Sequence, residues 1–81
     1  MLLYFEFEEK RRKADVTWPK NKGNITVHVT DKELAKDLPT DLYYEVDDAN
    51  KVSFTIEDPA NERLLELQNV LSRRLQELAK R

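Results

Sequence analysis

Apolar and polar residues alternate with a period of two over five short stretches of this 81-residue chain. That is the pattern of strands with one face buried. Leu3, Phe5 and Phe7 alternate with Tyr4, Glu6 and Glu8, and Ala14, Val16 and Trp18 with Asp15 and Thr17. Ile25, Val27 and Val29 alternate with Asn24, Thr26, His28 and Thr30. Leu42, Tyr44 and Val46 alternate with Tyr43 and Glu45, and Val52, Phe54 and Ile56 with Ser53, Thr55 and Glu57. One-sided patterning in every stretch predicts an antiparallel sheet with one packed face and one wet face. The aromatic residues Phe5, Phe7, Trp18, Tyr44 and Phe54 all fall on the inferred packed face. The connections read as a charged turn over 9–13, a loop from Pro19 to the single glycine, Gly23, and a hairpin loop from Asp47 to Asn50. Asn50 tolerates the positive φ such a loop needs.

Two segments read as helices. Thr30 and Glu33 have capping-box spacing, which predicts a short helix over 33–38 that Pro39 ends. Asp58 as N-cap and Pro59 at the first helical position predict a long helix that runs to Lys80 without glycine or proline. Leu64, Leu67, Leu71, Leu75 and Leu78 recur along it at spacings of three and four, with Val70 at the edge of the row. The order is therefore β-β-β-α-β-β-α. It describes one α+β domain over residues 1–81, an antiparallel sheet of about five strands with one face covered by a long C-terminal helix.

Composition narrows the chemistry. There is no cysteine and one histidine, His28, so disulfides are excluded and a structural zinc site is not expected. The absence of cysteine fits a reducing, cytoplasmic setting. The apolar start, Met1 to Phe5, is too short for a signal peptide or a membrane span. One glycine does not build a nucleotide-binding loop, and Asp47–Asn50 lacks the glycine and terminal glutamate of a calcium loop. The expectation is no cofactor, no metal and no membrane partner. His28 has Thr26 and Thr30 beside it on its strand face, without the converging base and orienting group that nucleophilic catalysis needs. The acid pairs Glu6/Glu8, Asp47/Asp48 and Glu57/Asp58 read as wet faces and turns. A protein without enzymatic activity is expected.

The net charge is −2, but the charges are segregated. Residues 10–24 are strongly basic, residues 31–62 strongly acidic, and the C-terminal stretch is basic again. Lys10, Arg11, Arg12 and Lys13 form a basic turn, and Lys20 and Lys22 follow in the next loop; these six are the candidate phosphate contacts. In a meander those two connections lie at opposite ends of the second strand. The wet face carries Glu6, Glu8, Asp15, Glu45 and Glu57 and, on this reading, no lysine or arginine. That disfavours a polyanion there, although Tyr4 and Tyr43 offer rings for stacking.

A helix of about 22 residues is roughly 33 Å long, whereas strands of five to seven residues span roughly 17–24 Å. The leucine row thus outruns the sheet, and Arg63, Val70, Arg74 and Arg81 form a basic shoulder beside it. An unsatisfied row of this kind implies a partner. The expected function is a non-enzymatic protein-interaction module, homodimeric through the C-terminal helix or joined to another protein. Its surface is then Leu64, Leu67, Val70, Leu71, Arg74, Leu75 and Leu78. The alternative is a nucleic-acid-binding accessory protein that uses Lys10–Lys13 and the helix arginines. At the level of topology, strands closed by one long helix resemble small single-strand-binding repeats and small dimeric chaperones of secreted proteins. Topology alone carries no function.

Overall fold

The computed structural model describes residues 1–20 and 23–80. Five strands form one antiparallel sheet in chain order: β1 (Leu2–Phe7), β2 (Lys10–Thr17), β3 (Gly23–Val29), β4 (Asp41–Val46) and β5 (Val52–Ser53). A short helix α1 (Lys32–Ala35) links β3 to β4, and a long helix α2 (Glu62–Ala79) closes the packed face. The expected α+β architecture, an antiparallel sheet with one face covered by the C-terminal helix, is therefore present, and the structure adds that its strands follow in meander order. α2 touches β4 and both edge strands, β1 and β5, so the sheet wraps around the helix.

The core is the inward set of the alternation. Leu3, Phe5, Phe7, Ala14, Val16, Ile25, Val27, Val29, Leu42, Tyr44 and Val46 are buried against Leu64, Leu67, Leu71 and Leu75 of α2. Trp18 and Phe54 are partly buried at its rim. Tyr44 lies flush in this core, with its ring edge-on to Phe54 at 5.4 Å. Its hydroxyl donates to the Gln68 carbonyl at 2.8 Å, which satisfies the one polar atom the ring brings inside. Burial pushes the phenol pKa well up.

Five expectations about local structure need correction. The first turn is not 9–13 but the two-residue pair Glu8–Glu9, with φ of 55° and 62°, and Phe7 faces Lys10 across it. This is the primed turn that suits a tight hairpin. Lys10–Lys13 are consequently the first four residues of β2, pointing alternately to the two faces. Arg12 faces inward and is 2% exposed, so the basic turn does not exist as a surface. The alternation was hidden because a charged residue occupies an inward position.

The short helix is capped one residue later than the capping box implied, and it covers Lys32–Ala35 rather than 33–38. Asp31 is its N-cap and accepts from the Leu34 N–H at 3.0 Å. The Thr30 hydroxyl donates instead to the Lys13 carbonyl at 3.2 Å. The long helix starts at Glu62 with Asn61 as N-cap. Asp58 holds a preceding turn by accepting from the Ala60 N–H at 3.1 Å.

β5 is also shorter than its alternation, because Thr55 turns its carbonyl to Gln68 Nε2 of α2 at 3.1 Å. Ile56 is left 47% exposed. Finally, α2 has 18 residues, about 27 Å at 1.5 Å per residue, close to the length of the eight-residue β2. The helix does not outrun its sheet. The Pro19–Gly23 loop lies partly outside the described residues.

The hairpin turn gives one measurable expectation. Glu9 is exposed, makes no ion pair among the described residues and holds a positive φ that costs a side-chain-bearing residue about 1 kcal/mol. Glu9→Gly removes that cost. It should raise the melting temperature by about 4–8 °C in a domain of this size, read by circular dichroism.

Candidate functional site

The sheet has two edges, and the chain treats them differently. At β5, the side-chain amide of Gln76 acts as a substitute strand. Its Oε1 accepts from the Val52 N–H at 2.9 Å and its Nε2 donates to the Asn50 carbonyl at 2.8 Å. Gln68 similarly holds Thr55. These glutamines satisfy backbone groups that an edge otherwise leaves bare.

β1 is covered at one point only. The tight turn makes Phe7 and Lys10 a hydrogen-bonded pair, so in the alternating ladder Phe5 and Leu3 also bond to β2. The Val16 N–H donating to the Met1 carbonyl at 2.7 Å continues the same phase. Leu2, Tyr4 and Glu6 therefore direct their N–H and C=O groups out of the sheet. Among the described residues only the Tyr4 carbonyl is met, by Arg74 Nε at 3.2 Å.

Beside this edge lies a groove of about 490 Å³ between β1 and α2. Tyr4, Glu6 and Arg11 border it on the sheet, and Val70, Arg73, Arg74 and Glu77 on the helix. The Arg11 guanidinium sits over the Tyr4 ring, 4.4 Å from its centre, a cation–π contact. Arg74 also pairs with Glu77 at 2.7 Å. Leu2 and Tyr4 are 54% and 40% exposed, so the edge is partly apolar as well as unpaired.

The residues singled out in the sequence are thus sorted into different roles. Leu64, Leu67, Leu71 and Leu75 are buried inside the chain and are not a surface. Val70 and Leu78 pack partly against the core. Of the row only Val70 and Arg74 reach the groove. Arg12 Nε donates to the Phe7 carbonyl at 3.3 Å, and its two terminal nitrogens meet Asp31 at 3.2 Å and Glu33 at 3.3 Å. Lys10 Nζ pairs with Glu33 at 3.0 Å. Arg63 grips Glu8 with two bonds, at 2.7 and 2.9 Å, and reaches Asp37 at 3.3 Å. Together these groups tie the first turn to α1 and α2, so Lys10 and Arg12 serve the fold. Lys20 is exposed beyond β2, and Lys22 lies outside the described residues.

The wet face also differs from expectation. Because β2 begins at Lys10, Arg11 and Lys13 stand on it opposite Glu6 and Tyr4. Glu8 sits in the turn beside Arg63, and Glu57 lies beyond β5. The face therefore carries both signs. In its middle, His28 Nδ1 lies 2.7 Å from Asp41, with Asp15 across the ladder on its other side. Both His28 and Asp41 are exposed. No group of three metal-ligating side chains occurs among the described residues.

Sequence reasoning missed the β1 edge, since strand order decides which strand is outermost. A signal was available in Gln76, an amide on the sheet side of α2. No helix among the described residues is long and apolar enough to cross a membrane. No protein-family model, no curated protein and no solved structure matches the chain.

Proposed function

We propose that this chain is a non-enzymatic protein-interaction module that associates with a second copy of itself, in a reducing, cytoplasmic setting. The surface is the β1 edge together with the Val70–Arg74 shoulder of α2. The observation that carries this reading is the unequal treatment of the two edges. Gln76 seals β5, while on β1 Arg74 meets only the Tyr4 carbonyl and the other outward backbone groups of Leu2, Tyr4 and Glu6 stay open beside exposed Leu2 and Tyr4. An uncovered edge of this length is a template for pairing with another chain. Sedimentation from low to high micromolar concentration should show the mass rising from 9.6 kDa towards twice that value. A mass that stays at 9.6 kDa throughout defeats the reading.

One observation favours a second reading. Arg11, Arg73 and Arg74 border the same groove as the Tyr4 ring, a combination that suits the phosphates and a base of a single strand. Glu6 and Glu77 in that groove oppose it. A labelled oligonucleotide at low salt tests this reading. Binding should weaken steeply as salt rises, and absence of binding at low salt ends it.

A further inference from the structure

We infer that two copies join by antiparallel pairing of β1 with β1 of the second copy, about a two-fold axis at Tyr4. This rests on the self-association reading above and specifies its geometry. The outward backbone groups belong to residues 2, 4 and 6 of β1. An antiparallel partner bonds to them only if it presents outward residues opposite outward residues. A two-fold axis at Tyr4 sets Tyr4 opposite Tyr4 and Leu2 opposite Glu6 twice. It is the one register that engages all three residues of both copies. Axes at Leu3 or Phe5 also match outward residues but engage only two of the three.

The register agrees with the side chains. On the wet face, the exposed Leu2 covers the stem of Glu6 from the other copy, and the two Tyr4 rings meet across the axis. The edge carries no proline and no lysine within β1, the usual devices that block such pairing. The groove beside it holds Arg11, Arg73 and Arg74 together with Glu6 and Glu77. A surface of both signs is self-complementary under a two-fold operator, whereas a uniformly basic one repels its copy. Arg73, which has no partner among the described residues, and Arg74 then face acids of the second chain. The Tyr4 carbonyl exchanges its contact with Arg74 Nε for the N–H of the partner strand, or keeps both. The product is a continuous sheet of two five-stranded halves.

Amide hydrogen exchange followed by NMR tests the pairing on the intact chain. As concentration rises, the amides of Leu2, Tyr4 and Glu6 should become protected, while those of Leu3, Phe5 and Phe7 are protected throughout. Tyr4→Pro removes the donor at the axis without touching the internal ladder. It deletes two inter-chain bonds and should weaken the dimer roughly tenfold to a hundredfold.

The register has its own check. Leu2→Glu places like charges opposite Glu6 and should weaken the dimer roughly fivefold, whereas Leu2→Lys should hold or tighten it. Circular dichroism of each variant at dilute concentration establishes that the monomer is folded. A dimer whose amides 2, 4 and 6 still exchange freely overturns the pairing and leaves self-association standing. Equal effects of Leu2→Glu and Leu2→Lys overturn the register. A monomer at every concentration overturns both readings, and so does protection that appears only on adding an extended peptide.

Discussion

Leu71→Ala should destabilise the chain by about 3 kcal/mol, within the range of about 2–5 kcal/mol found for leucine truncation in cores. Leu71 is 0% exposed and lies mid-way along the inward row of α2, between Leu67 and Leu75, which are equally buried. The sheet wraps this row from β1 to β5, so neighbours on several elements hold the space open when the side chain shrinks. Relaxation into the void is then small, and the full cavity cost applies. A domain of this size has a total stability of roughly 5–10 kcal/mol, of which this one change removes a large fraction. Urea denaturation should show the midpoint falling with little change in slope, and the melting temperature should drop by about 12–24 °C. Val70→Ala, on the same helix but at the groove, should cost less than half as much. Similar losses for the two would mean that α2 is not seated on the sheet as described.

Arg12→Ala should cost about 3 kcal/mol, and Arg12→Met should recover only the share of that loss that comes from the buried stem. The Arg12 side chain is 2% exposed on the packed side of β2, and its guanidinium meets Phe7, Asp31, Glu33 and Glu8. Truncation removes the buried stem and leaves Asp31, itself half sheltered, without its cation. Breaking one partner of a buried pair is costly for that reason. Methionine refills the stem volume but leaves Asp31 without its cation just as alanine does, so only the packing share of the loss returns. Guanidinium denaturation of both variants separates packing from charge. Equal losses for alanine and methionine would assign the whole effect to the ion pairs.

The same cluster sets the pH response. Hydrogen bonds from Arg63 hold Glu8 below the usual carboxylate range. Lys10 and Arg12 do the same for Glu33. Burial pushes the Asp31 carboxyl up, but the Leu34 N–H and Arg12 outweigh it, and the net shift is down. For a carboxylate whose folded pKa lies below its unfolded value, the stabilisation is complete above the unfolded pKa. It is lost as pH falls through the folded one. Stability should therefore be flat near neutrality and decline on acidification below about pH 5. The decline should be shallower in Arg12→Met, where Asp31 and Glu33 have lost a shared cation.

The alternation of apolar residues was sufficient by itself to define five strands, one packed face and an antiparallel sheet, though not the order of its strands. Leu64, Leu67, Leu71 and Leu75 likewise marked the buried row of α2. Those features are local: side chains alternate across a strand and recur every three to four residues on a helix, so a window of sequence contains them. The tertiary structure decided the rest.

Arg12 occupies an inward position because α1, distant in sequence, supplies Asp31 and Glu33 to meet its charge, and no window around Arg12 contains those partners. That one inward arginine concealed the first four residues of β2, turned an expected basic turn into strand, and put Arg11 and Lys13 on a face thought to be wholly acidic. The start of α2 was settled by Asn61, whose side chain accepts from the Leu64 N–H. Which strand is left open follows only from the order β1-β2-β3-β4-β5 and from the reach of Gln76 to one edge and not the other. Edges are a property of the assembled sheet, because an unpaired backbone group exists only once its neighbours have been chosen.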